Sequence, residues 1–155
     1  MKHNSRTVLF FLVCVLACVS LVLFEGCTKK VITAQLDFEV LVSSEKKVRI
    51  KGKTNLPVGT KLMFAIRDLN GNFLGQDSSY VKNDNSFESA EFSNRYAGYQ
   101  NGTYNAEVTM PVPMVQDEKV KKVIGNNGEY LAGDLIRKNE FGSIVVEKTV
   151  EFVVQ

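Results

Sequence analysis

An antiparallel β-sandwich of two sheets is the fold class this sequence predicts. Three observations carry it. Apolar and polar residues alternate in short runs from Leu36 onward, and turn chemistry separates those runs at Asn55–Gly59, Asn70–Gly71 and Asn83–Asn85. The last stretch, Ile144 to Val154, is rich in β-branched residues. Seven such runs with turns between them suit two packed antiparallel sheets.

The chain does not begin with this domain. Lys2 and Arg6 precede Val8 to Phe24, a run of 17 residues without a charge, after which come Glu25, Gly26 and Cys27. A basic stretch before an apolar one is the pattern of an export signal. The run is at the lower edge of the roughly 20 residues a helix needs to cross about 30 Å of hydrocarbon, so residues 1–26 can be read as a cleaved signal or as a retained anchor. Leu23-Phe24-Glu25-Gly26-Cys27 resembles the lipobox of bacterial lipoproteins, in which a small residue precedes a cysteine that is lipidated and becomes the new N-terminus. Phe24 stands where that family has Leu, and Leu23 is one place early. Val15-Leu16-Ala17-Cys18 also fits the pattern, but cleavage there would leave Val19 to Phe24 as an exposed apolar tail. The resemblance implies lipidation, including palmitate, at Cys27. With either reading the basic residues stay on the cytoplasmic side and the domain lies outside.

Removing residues 1–26 takes away His3, Cys14 and Cys18. What remains has no His, no Trp and one Cys, so histidine-based acid–base or triad catalysis and the usual His and Cys zinc sites are excluded. A disulfide is excluded too, though the compartment would permit one. Lys and Arg then number 17 against 16 Asp and Glu, which gives no nucleic-acid footprint. No cofactor is expected.

Residues 27–34 read as the lipidated Cys and a tether, and 35–155 as the sandwich domain. Leu36, Phe38 and Val40 alternate with Asp37 and Glu39, and Val48 and Ile50 with Arg49 and Lys51. Leu62, Phe64 and Ile66 line a third strand. Asn70–Gly71 is a favoured pair for a type I′ hairpin leading into a strand from Asn72 to about Val81. Phe87 to Phe92 makes the fifth, and Tyr104, Ala106, Val108 and Met110 mark the sixth. Phe64, Ile66, Tyr104, Val108, Val150 and Phe152 are the expected core.

Gln100-Asn101-Gly102-Thr103-Tyr104-Asn105-Ala106 resembles the tyrosine corner of immunoglobulin-like sandwiches: Tyr104 stands two places before the position, here Ala106, at which antibody domains carry their second cysteine. Gln100 replaces the usual Asp, and the core Trp and the disulfide are missing. The resemblance implies immunoglobulin-like architecture and no function.

The pattern breaks between about 111 and 142. Pro111 and Pro113 end the sixth strand, and 116–124 has Val120, Val123 and Ile124 at helical spacing, with Asp117 and Glu118 early, Lys121 and Lys122 late and Gly125 as the stop. This insertion either caps an open end of the sandwich or carries a recognition surface, for which Asn126, Glu129, Tyr130 and Arg137 are the candidates, Tyr130 first because aromatics anchor interfaces. Other chemistry has weaker support. Asp68, Asn70 and Asn72 alternate as in a calcium loop, but Gly71 is misplaced and no Glu stands at the twelfth position. Ser43, Ser44 and Lys46 are neighbours in ordinary loop composition, and Asp117 and Glu118 are adjacent on a helix, where side chains do not face each other.

The expectation is therefore a non-catalytic, membrane-anchored lipoprotein of the cell envelope, a binding or structural accessory module. Its partners would be the membrane, through the N-terminal lipid, and an envelope protein that the sequence does not identify. The alternatives are an extracytoplasmic hydrolase using Ser/Lys or carboxylate chemistry, and a secreted inhibitor or carbohydrate-binding sandwich.

Overall fold

The computed structural model describes residues 30–94 and 97–155. The expected export signal, the lipobox-like residues and Cys27 lie outside the described residues. In chain order the strands are β1 (Ile32–Thr33), β2 (Leu36–Val42), β3 (Val48–Thr54), β4 (Lys61–Arg67), β5 (Phe73–Tyr80), β6 (Ser86–Glu88) and β7 (Gly102–Met110). A short 3-10 turn (Pro113–Val115) and helix α1 (Glu118–Ile124) follow, then β8 (Leu131–Ala132), β9 (Ile136–Lys138) and β10 (Ile144–Val154).

Two antiparallel sheets make the sandwich, one ordered β2-β3-β6 and the other β5-β4-β7-β10-β9. Leaving out β9, the strand order is that of an immunoglobulin-like sandwich, A-B-E against C′-C-F-G. The period-2 pattern explains the packing. Leu36, Val48, Ile50 and Phe87 from the small sheet meet Leu62, Phe64, Ile66, Ala106, Val108 and Val146 from the large one, all buried. Phe64 and Phe87 touch across the layers, ring centroids 5.9 Å apart. Of the six expected core residues, Phe64, Ile66 and Val108 are fully buried, while Tyr104, Val150 and Phe152 are half-buried. Three strands cannot cover five, so the inner face of β10 is only partly roofed.

The corner reading rests on a direct bond. Tyr104 is the third residue of the F-equivalent strand β7, and its hydroxyl donates to the Gln100 carbonyl at 3.0 Å. Its ring lies between those of Tyr99, edge-on with centroids 5.4 Å apart, and Phe152, tilted at 5.8 Å.

The open sides of the sandwich are stitched by polar side chains that point inward. On one side Asp77 of β5 accepts from the Ala90 N–H at 2.6 Å and the Ser79 hydroxyl donates to the Glu88 carbonyl at 2.8 Å. On the other, the Lys148 ammonium donates to the Leu36 carbonyl at 2.6 Å.

Several boundaries differ from the sequence reading. The β4–β5 connection is not a type I′ turn: Gly71 alone has positive φ, +85°, and its N–H donates to the Asp68 carbonyl, with a register shift at Ile66/Arg67. Asp68 decides this, because its carboxylate accepts from the N–H groups of Asn70 and Asn72 and fixes a longer loop. The strand expected over Phe87–Phe92 stops at Glu88, since the Ser89 hydroxyl takes the Ile50 N–H and bends the chain before Phe92 rejoins Val48. The tether expected over 27–34 is docked in its last part: Ile32 donates to the Tyr130 carbonyl and Ala34 to that of Ala132, both at 2.8 Å, pairing β1 with β8 in parallel.

Candidate functional site

The connection from Pro111 to Ser143 covers one end of the sandwich, and its construction can be followed residue by residue. β7 must stop at Pro111, which has no N–H for the ladder. Pro113 then starts the 3-10 turn, and the Gln116 side chain folds back against β4: the Lys61 N–H donates to Gln116 Oε1 at 2.8 Å and Gln116 Nε2 donates to the Lys61 carbonyl at 3.1 Å. By the β4–β7 register the residue opposite Lys61 would be Pro111. The carboxamide thus replaces the strand that proline ended.

Asp117 caps α1, accepting from the Lys119 N–H, and Gly125 at φ +93° ends it. One helix face, Val120 and Ile124, is buried with Leu131 in the common core, while Lys119, Lys122 and Val123 remain exposed. The connection therefore caps the open end.

Asn126, Glu129 and Tyr130 fall in the single loop after α1. Asn126 is exposed. The Glu129 carboxylate curls over Gly125 and accepts from the Asn127 N–H at 2.9 Å, so it shapes the loop from within. Tyr130 is half-buried, and its carbonyl receives the β1 bond already described. Arg137 stands on edge strand β9, where its guanidinium donates to the carbonyls of Asp134 and Ile136 of its own segment. Gln116 had no signal in the sequence except its place just after two prolines.

The other candidates do not assemble chemistry. The Lys46 ammonium bonds to Asn101, while Ser43 accepts from the Lys47 N–H. Asp117 is occupied with its cap and Glu118 pairs with Lys121, so these two carboxylates serve different partners. Asp68 spends both oxygens on Asn70 and Asn72. Among the described residues no group of three His, Cys, Asp or Glu side chains is arranged to hold a metal, and no helix is long and apolar enough to cross a membrane.

A groove of about 740 Å³ lies over the small sheet between Asp37, Glu39, Lys51, Lys53 and Glu88. Charges in it are paired, Lys51 with Glu39 at 3.7 Å and Lys82 with Glu88 at 3.8 Å, and Arg49 beside it reaches Glu88 at 3.0 Å. Exposed pairs of this kind leave little net field and contribute little stability. The Arg49 hydrogen bond holds the Glu88 carboxyl below its ordinary range, and the Lys47 hydrogen bond does the same for Glu45. Both shifts run opposite to what a general acid needs. Burial of its ring pushes the Tyr99 hydroxyl up, to about 12.

Comparison of the chain with protein-family models, with curated proteins and with solved structures finds no match.

Proposed function

We propose that the protein is a membrane-anchored lipoprotein of the bacterial cell envelope, held outside the cytoplasm by acyl chains on Cys27 and acting as a non-catalytic binding or structural accessory module. The observation that carries this reading is the sequence from Lys2 to Cys27: a basic start, 17 uncharged residues and a Gly-Cys junction. Two features of the domain support it. Ile32, five residues beyond Cys27, is already hydrogen-bonded into the fold, which suits a domain held on a short leash. The long connection also occupies the F–G position, which in antibody variable domains belongs to the binding end. That second argument is one of fold analogy. It supports a binding role and names no partner.

The test is metabolic labelling with a palmitate analogue, followed by fractionation. Wild-type protein is expected to take up label and stay with the membranes, and Cys27→Ala to lose the label and, once cleaved, to reach the soluble fraction. A wild type that takes up no lipid, with Cys27→Ala still membrane-bound at full length, would assign residues 8–24 to a retained anchor instead. Protein recovered soluble without label or anchor would overturn membrane attachment itself.

A further inference from the structure

Large apolar side chains are exposed at both ends of the sandwich, Leu41, Val42, Leu69, Phe73 and Val153 at one, but the two most exposed lie at the other. β2, β4, β6 and β10 all start at one end of the sandwich, and β3, β5 and β7 all finish there, as the pairings Leu36 with Thr54, Lys61 with Tyr80, Lys53 with Ser86 and Val146 with Met110 require. β1 joins the fold at the same end, through β8. Phe141, at the tip of the β9–β10 hairpin, is 90% exposed, and Met114, in the 3-10 turn, is 80% exposed. Among the described residues these are the two most exposed large apolar side chains, and both belong to this end. Val31, Val58, Val115 and Val123 add four more, each about half exposed. The two leading residues share a neighbourhood: Pro113, beside Met114, and Ile144, at the base of the Phe141 hairpin, both lie against Gly128. Exposed apolar side chains gathered in this way mark a contact surface.

We propose that this end of the sandwich seats on the lipid surface to which the chain is anchored, with Met114 and Phe141 entering the headgroup layer. The proposal rests on the membrane attachment proposed above, and it holds for a lipidated Cys27 or a retained anchor alike. Chain length argues for lipid as the occupant. Only Thr28, Lys29 and Lys30 separate Cys27 from Val31, and four steps of extended chain reach about 14 Å at most. The headgroup layer on each face of a bilayer is itself roughly 5–8 Å thick. An end held so close to the membrane leaves little room for a protein to be inserted beneath it. Charge is mixed there, with Lys119, Lys122 and Lys138 beside Asp117, Glu118 and Glu140. Seating is therefore apolar in origin and does not require anionic lipid.

The chain has no Trp, so one can be introduced as a sole reporter. Full-length protein is reconstituted into phosphatidylcholine vesicles with and without brominated lipid, as Phe141→Trp, as Met114→Trp, and as Leu69→Trp at the opposite end, where Leu69 is 63% exposed. The expected result is blue-shifted emission, quenched at least twofold by bromolipid, for the first two and not for the third, unchanged between 50 mM and 500 mM salt. Protein that floats with the vesicles while Phe141→Trp and Met114→Trp stay unquenched overturns the seating and leaves the anchor standing. Blue-shifted emission without quenching would assign the face to a protein or a second copy and also overturns it. Protein that does not float with the vesicles overturns both the anchor and the seating.

Discussion

The carboxamide of Gln116 satisfies both backbone hydrogen-bonding groups of Lys61 on the side of β4 that Pro111 leaves unpaired. Gln116 is buried, so water cannot take its place. Gln116→Ala is expected to cost roughly 1–3 kcal/mol, the range for leaving buried partners unsatisfied. The readouts are the urea midpoint and amide exchange at Lys61. An unchanged midpoint with a still-protected Lys61 amide would mean the clip is ornamental.

A second expectation concerns Gly52, which lies opposite Phe38 on one side and Phe87 on the other. A Cβ there would stand 2.1 Å from the Asp37 carbonyl oxygen and 2.7 Å from Phe38 Cβ. The first obstacle is backbone and cannot rotate aside. Gly52→Ala should therefore destabilise the domain by about 3 kcal/mol, at the upper end of the usual overpacking range. Thermal melting within a degree of wild type would show that β2 and β3 part more easily than their register implies.

Tyr104→Phe removes one hydroxyl and nothing else. It should cost about 1 kcal/mol, the net worth of the bond to the Gln100 carbonyl. Equal urea midpoints for the two proteins would remove the corner from the account of the fold.

For pH, Asp68 offers a sign that can be worked out. Hydrogen bonds from the Asn72 side chain first, and from backbone N–H groups after it, hold its carboxyl below the ordinary 3.8. A group whose folded value is depressed supports the fold fully above the unfolded value, and its support fades as pH falls through the folded one. Carboxyl NMR titration should give a midpoint below 3.8 for Asp68, rising toward that value in Asn72→Ala. A wild-type midpoint at or above 3.8 would contradict the loop geometry.

The strands at the centre of the fold were legible in the sequence because both their neighbours and the opposite sheet are apolar. β3, β4 and β7 show clean alternation, and Tyr104 could be recognised from its preceding turn. β5 was legible only from its turns. Its inward positions are Gly75, Asp77 and Ser79, because an edge strand faces the open margin of the other sheet, where backbone groups need partners. β1, β8 and β9 are too short for any period; β1 and β8 exist only through pairing with each other across the chain, and β9 only as the short arm of a hairpin with β10. At the candidate surface the sequence located the long connection and its helix. Gln116 was hidden, since a buried glutamine and a solvent-facing one carry the same letter. Phe141 and Met114 were hidden for the converse reason, as nothing local shows that an apolar side chain is left uncovered.

The parallel pairing of β1 with β8 also has a mechanical consequence. Any tension along the N-terminal segment reaches the fold at Ile32, and the first bonds to bear it are those from Ile32 to Tyr130 and from Ala34 to Ala132. They hold a segment of two strand residues, whereas β2 behind them is laced to β3 along seven. Under load the short pair gives way first, and releasing residues 32–34 pays out roughly 10 Å of chain at 3.3–3.6 Å per residue. The sandwich stays closed meanwhile. The junction works as a slip link between the N-terminal segment and the domain, one that yields before the β2–β3 pairing does.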